Sequence, residues 1–228
     1  MDFFEVIEKR RSIRKFTDET VPEAIMRRAF DAAVLAPNSS NTQTWNFYWI
    51  RNADKKKRMA ELCMSQSAAR TAQELVAITA APSYWKRSLP GLIRFIESVH
   101  APSPVQQYYR KLIPFIYRGG LFAPIKWLLA WAVIGVRPSQ RIPATRRDLQ
   151  EVAIKSAALA AENFVLALTA QGFDTCMMEG FDEWRVKRLL RLRRDERVLM
   201  IVGIGKEGPR ATWGPRFRIS TSEVVHEV

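Results

Sequence analysis

Apolar positions switch between a helical and an alternating period along this chain of 228 residues, and the switches mark its elements. Residues 2–9 set Phe3, Phe4, Val6 and Ile7 among Asp2, Glu5, Glu8 and Lys9, which predicts a short amphipathic helix. A second helix follows Val21-Pro22-Glu23, with proline in its first turn and Ile25, Ala29, Ala32, Ala33 and Ala36 at helical spacing. Trp45, Phe47 and Trp49 then alternate with Asn46 and Tyr48, so 45–50 reads as a strand. The spacing predicts helices over 54–64 and 68–74. The apolar run 75–81 reads as a buried strand stopped by Pro82.

The second half is equally legible. A long helix is expected over 145–171, capped by Thr145, with Asp148 in its first turn and Gly172 ending it. At 1.5 Å per residue it would run roughly 40 Å. Its small-residue stripe (Ala153, Ala157, Ala160, Phe164, Ala167, Leu168) suits either a core helix or a dimer interface. A short strand is expected over 173–178. Asp182 can then cap a helix that turns Trp184, Val186, Leu189 and Leu190 inward. The β-branched run 198–204 reads as a central strand. The tail, 220–228, is too short to fold alone and is expected to pack on something, such as a partner subunit.

Residues 84–141 differ, being rich in Trp, Tyr, Phe, Pro and Arg. The stretch 112–136 is mostly apolar, but Pro114, Arg118, Gly119, Gly120, Pro124 and Lys126 interrupt it. Its longest uncharged piece, 127–136, is about half of the roughly 20 residues a membrane span needs. Three readings stay open: an aromatic lid over a pocket, an interfacial hairpin with snorkelling cations, and a plain buried hairpin.

Composition narrows the chemistry. Apolar residues make up 47%, enough for a sizeable core in one large domain or two small ones. The charged N-terminal stretch is unlike a secretory signal, and Cys63 and Cys176 have no metal-like spacing. Free thiols in the cytoplasm are therefore expected. His100 and His226 are the two histidines, which argues against a histidine-based metal site or a triad. The net charge of +13 fits nucleic acid, an anionic membrane or anionic small molecules. No nucleic-acid module is recognisable, and the basic face of Arg185, Lys187, Arg188, Arg191, Arg193 and Arg194 reads first as solvated surface.

Four stretches carry candidate chemistry. Arg10, Arg11, Ser12 and Arg14 could grip a phosphate, because guanidinium forks match phosphate oxygens; a solvated basic helix end is the alternative. The loop Pro37-Asn38-Ser39-Ser40-Asn41-Thr42-Gln43-Thr44 presents neutral donors and acceptors, suited to a heteroaromatic ligand with a polar rim or to a capping turn. Glu179-Gly180 follows a strand, and Arg216-Phe217-Arg218 lies near the C-terminus. Gly203 and Gly205 do not form a dinucleotide fingerprint, since the spacing is wrong and no helix follows.

In this order the four stretches resemble the nitroreductase family of FMN-dependent oxidoreductases. The resemblance covers 1–81 and 143–228, and 82–142 falls where that family varies and often places a lid. It implies one α+β domain over 1–228: a small mixed β-sheet flanked by helices, in an intertwined homodimer with FMN at the interface. The alanine-lined helix would then be interface, and the tail would extend over the partner. Carried over by motif, Arg10, Arg11, Ser12 and Arg14 would hold the FMN phosphate, ribityl chain and pyrimidine edge, with Arg216 and Arg218 adding phosphate contacts. Ser39, Asn41 and Gln43 would bond the ribityl chain or ring edge. Glu179 and Gly180 would bring backbone N–H groups toward flavin N5.

The resemblance further implies hydride transfer from NAD(P)H to an electron-poor acceptor, a nitroaromatic or a quinone, in ping-pong order. The flavin carries the chemistry. No side chain is singled out as catalytic, Arg14 and Glu179 standing nearest, and no metal is expected. The aromatic insert suggests a lipophilic acceptor, or peripheral membrane contact through 112–136. Dehalogenation, azoline oxidation or flavin breakdown at the same site are alternatives, and a basic membrane- or nucleic-acid-binding protein is the reading from another class. Two features depart from the family pattern. Thr44 stands where proline is usual, and the expected asparagine and basic residue before the second strand are missing, Gln66 and Arg70 being the nearest candidates.

Overall fold

The computed structural model describes residues 1–118, 124, 128, 132, 143 and 145–228. Four strands form its sheet: β1 (Trp45–Trp49), β2 (Glu74–Ala80), β3 (Asp174–Met178) and β4 (Arg197–Gly205), in the order β1-β2-β4-β3. All three pairings are antiparallel. The expected mixed character is confined to an isolated parallel bridge between Ser12 and Thr175, on the free edge of β3. Helices cover both faces, as an α+β sandwich requires.

The inner strands are mostly apolar because both faces are buried; Glu74, Thr79 and Arg197 are the exceptions. On β2, Val76 and Ile78 point one way, Leu75 and Ala77 the other. The first pair meets Phe164, Val165 and Leu168 of α8 (Arg146–Ala170), with Met26, Ala29 and Ala33 of α2 (Glu23–Val34). The second pair meets Met59, Ala60 and Leu62 of α3 (Ala53–Leu62) and Ala68 and Ala69 of α4 (Ser67–Thr71). The second helix of that face stops at Thr71, short of the expected 74, because Glu74 already pairs with Ile204 in the sheet.

Helix α8 is terminated as its sequence predicts. Thr145 Oγ1 accepts the Asp148 amide at 3.1 Å, and the Asp148 carboxylate accepts the Thr145 amide at 2.9 Å. At the other end Gly172 takes φ +80°, Phe173 N–H donates to Leu168 O and Gly172 N–H to Thr169 O. Of the two readings of the alanine stripe, the structure supports core: Ala153, Ala157 and Ala160 are wholly buried against Trp45 and Ala80. Ile154 and Leu159 of α8 are exposed, as are Phe3, Phe4 and Ile7 of α1 (Phe3–Lys9), a helix that packs on α8.

The insert begins with α5 (Trp85–Ser98), α6 (Ser103–Gln107), a π-turn over Tyr108–Leu112 and α7 (Ile113–Tyr117). Trp85, Leu89, Ile113 and Tyr117 form a cluster with Leu149 of α8. The stretch 127–136, with Trp127 and Trp131, lies outside the described residues except at 128 and 132, and with it the choice among lid, membrane contact and hairpin. In α9 (Glu183–Leu190) Val186 is buried, but Trp184 is 64% exposed, against expectation. Two residues turn a helix by about 200°, so the two side chains lie on opposite faces. Arg188 stacks over the Trp184 ring at 4.6 Å instead.

Candidate functional site

The segment 10–16 lies extended along β3. Ile13 N–H donates to Thr175 O at 2.9 Å, and Arg14 N–H to Ala211 O at 2.8 Å. Ile13 and Phe16 anchor it from below, both nearly fully buried. Phe16 fits because β4 carries a glycine opposite: a Cβ on Gly205 would stand 2.9 Å from the Phe16 Cβ. The arginines between these anchors are thereby turned outward.

The C-terminal segment is laced onto them. Arg216 donates to the carbonyls of Ile7, Glu8 and Arg10, the unsatisfied end of α1, where a cation is also favoured by the helix dipole. Arg11 donates to Gly214 O at 2.6 Å, and Arg14 stacks 3.9 Å over the Trp213 ring. The result is a cleft of about 410 Å³ into which Arg10, Arg11, Ser12, Arg14, Arg216 and Arg218 all open. Burial holds the Arg216 guanidinium below its ordinary pKa, and the charges of Arg10, Arg218 and Arg11 add to this while Glu8 opposes it. Glu162 of α8 stands 3.9 Å from Arg10. Such crowding of like charge fits a bound polyanion such as a phosphate.

Glu179 and Gly180 follow the far end of β3 from Ser12, with Thr175 through Met178 between, roughly 16 Å away at 3.3 Å per residue. Both are exposed. Gln66, at the start of α4, donates its side-chain amide to Gly180 O at 2.8 Å. A Cβ on Gly180 would meet that same amide at 3.1 Å. Gln66 thus belongs to this corner, and its signal in the sequence is a polar amide opening the helix before β2. Arg70 lines a different cleft, between α3 and α4.

The loop 38–43 is a turn and a presenter at once. Asn38 Oδ1 accepts Gln43 N–H at 2.8 Å, Thr42 Oγ1 donates to Ser39 O, and Gln43 Nε2 donates to Asn41 Oδ1. Ser40, Asn41 and Gln43 all take positive φ. The loop is braced from α8 by Ser156 on Ser39 N–H, and from the insert by Tyr108 on Ser40 and Tyr117 on Thr42. Arg87 of α5 holds the exit, donating to the carbonyls of Gln43 and Trp45. Thr44, in the place usual for proline, is wholly buried, and its hydroxyl has no partner among the described residues.

Within the chain the predicted site is divided. The loop leads into β1, at one edge of the sheet, and Ser12 pairs with β3, at the other. Three strand spacings of about 4.8 Å separate the edges, so Ser39, Asn41 and Gln43 do not share a cleft with Arg10, Ser12 and Arg14. The tail stays on the surface: Phe217, Ile219, Val224 and Val225 are exposed.

Among known proteins, the chain is 29% identical to protein DrgA of Synechocystis sp. over 207 residues, which covers 90% of this chain and 84% of DrgA. It is 23% identical to MhqN of Bacillus subtilis, named as a candidate NAD(P)H nitroreductase, over 98% of each chain. Its fold matches a protein of Exiguobacterium sibiricum solved in complex with FMN, with a TM-score of 0.75 at 20% identity, covering 100% of this chain and 98% of that one. A sequence model described as the nitroreductase family matches residues 7–206, so the chain belongs to the nitroreductase family.

Proposed function

We propose that the chain is an FMN-dependent NAD(P)H oxidoreductase whose acceptor is electron-poor and aromatic or lipophilic, such as a nitroaromatic or a quinone. The observation that carries this reading is the cleft of five guanidinium groups and Ser12, opened by residues from both ends of the chain. Its donor set suits the phosphate of a flavin mononucleotide, and the family membership and the FMN-bound relative in structure agree. Bound FMN would supply the hydride exchange.

The chain's own residues would bind and orient. Arg10, Arg11, Arg216 and Arg218 would hold the phosphate, with Ser12 on the ribityl chain. Arg14, fixed by its stack on Trp213, would set a positive charge near the pyrimidine edge and favour the anionic reduced ring. The Glu179-Gly180 corner, held by Gln66, would present rigid backbone N–H groups that need not move during turnover. Nicotinamide and acceptor would occupy the same face in turn, a ping-pong order.

Ser39, Asn41 and Gln43 would reach the ring from a second copy of the chain. The apolar surface supports that arrangement: Phe3, Phe4, Leu35, Leu159 and the tail residue Phe217 are exposed and offer apolar area for a second copy to cover. Cys63 and Cys176, both buried and unlinked, fit a reducing compartment such as the cytoplasm.

The test is the visible spectrum of the purified protein, with FMN added, before and after NADPH under anaerobic conditions. Bound flavin that bleaches on NADPH and recovers on adding a quinone supports the reading. A protein that takes up no FMN ends it. Light scattering of the same sample should give two chains per particle and two flavins.

A further inference from the structure

A second cleft, of about 640 Å³, opens where the insert meets the start of α8. Trp85, Tyr117 and Leu149, all largely buried, line its apolar side. The two rings are held rigidly: their centroids lie 6.3 Å apart, and the Tyr117 hydroxyl is tied to Thr42 at 3.2 Å. Cations arrive from separate parts of the chain: Lys86 from α5, Arg146 from α8 and Arg194 from the turn before β4. None of these three is in an ion pair among the described residues, and Lys86 leans toward the Trp85 ring at 6.0 Å. The carboxylate on this lining, Asp195, accepts Ser83 N–H at 3.3 Å and faces Arg193 at 3.5 Å, so it is already engaged. Ser83 keeps a hydroxyl that is shut off from water and bonded to nothing among the described residues.

A solvated charged face does not explain this arrangement. On such a face cations point apart from one another and lie over polar surface. Here three separate elements contribute them to the lining of one concavity with an aromatic wall, of a size typical for small-molecule sites. The first turn of α8 is not the source of attraction, because the Thr145–Asp148 capping box already uses it. The cleft is also apart from the arginine cleft: Arg146 and Glu162 stand 16 residues apart on α8, roughly 24 Å along its axis.

We propose that this cleft binds a small aromatic anion, a flat ring bearing a carboxylate or sulfonate. The ring packs toward Trp85 and Tyr117, and the acid group lies among Lys86, Arg146 and Arg194. The test is calorimetric titration of the whole protein with 2-naphthoate, alongside cyclohexanecarboxylate and inorganic sulfate. Saturable binding of one naphthoate per chain is expected, with both controls weaker. An Arg146→Ser/Arg194→Ser double variant should bind at least about tenfold more weakly, as loss of charge-assisted hydrogen bonds implies. Arg216→Ser, in the other cleft, should bind as the parent does. No saturable binding overturns the proposal, as does a double variant that binds like the parent. A loss in Arg216→Ser with the double variant intact overturns it too, by assigning the anion to the arginine cleft. The titration reads naphthoate alone, so its outcome is separate from whether the chain holds flavin.

Discussion

The amide of Gln66 donates to the carbonyl of Gly180 at 2.8 Å, joining the start of α4 to the end of β3 across 114 residues of chain. That bond fixes the corner that is proposed to face the flavin. Gln66→Ala removes one hydrogen bond, worth about 1 kcal/mol net. Flavin affinity should fall roughly fivefold while the fold survives. FMN titration by fluorescence quenching, beside a melting curve, checks this; an unchanged affinity would detach Gln66 from the site.

Arg216 serves two ends, capping α1 and closing the arginine cleft. Arg216→Ala should raise the FMN dissociation constant about tenfold or more, and the loss should shrink as salt increases. Arg216→Lys should recover only part of it, because a lysine cannot bridge several carbonyls with a planar fork. Equilibrium dialysis at two ionic strengths measures both.

Gly205 admits Phe16, whose Cβ would stand 2.9 Å from an added methyl. Gly205→Ala should cost about 1–3 kcal/mol as an overpacked contact. Because Phe16 anchors the segment that carries Arg10 to Arg14, flavin affinity should fall along with the melting temperature. A variant that melts normally and holds FMN normally would contradict this coupling.

Thr44 hides a hydroxyl without a partner among the described residues. Thr44→Val keeps the shape and removes the desolvated group, so stability should rise by about 1 kcal/mol or more. Urea denaturation should show a higher midpoint at the same slope. A fall would reveal a bond to that hydroxyl.

Burial pushes the Cys63 thiol up from its ordinary 9.0 to about 12, and burial raises Cys176 as well, with Arg14 opposing. A thiol whose folded pKa is raised favours the folded state below its unfolded pKa, and that advantage disappears as pH climbs through the folded value. Stability should therefore decline between pH 9 and about 12, and less steeply in Cys63→Ala. Neither thiol should react with maleimide at pH 8 until the protein is unfolded. Rapid labelling of the native protein would show that the burial is wrong.

Local physics determined much of this protein in advance. The strand at Trp45–Trp49, the capped helix Arg146–Ala170 with its glycine stop and the central strand Arg197–Gly205 follow from periodicity and end signals within a few residues of each other. So do the arginine motif and the polar loop, whose chemistry is written in adjacent side chains. Tertiary structure decided the rest. It buried the alanine stripe of α8 in the core, because the sheet offers that stripe a close-packed surface. It put Trp184 outside, because a helix of eight residues has one inward face and Val186 occupies it. It brought Gln66 to Gly180 and Arg216 to α1 over separations of 114 and more than 200 residues, which no local pattern encodes. It also set the polar loop and the arginine motif at opposite edges of one sheet. Strand order determines that distance, and strand order is a property of the whole packed chain.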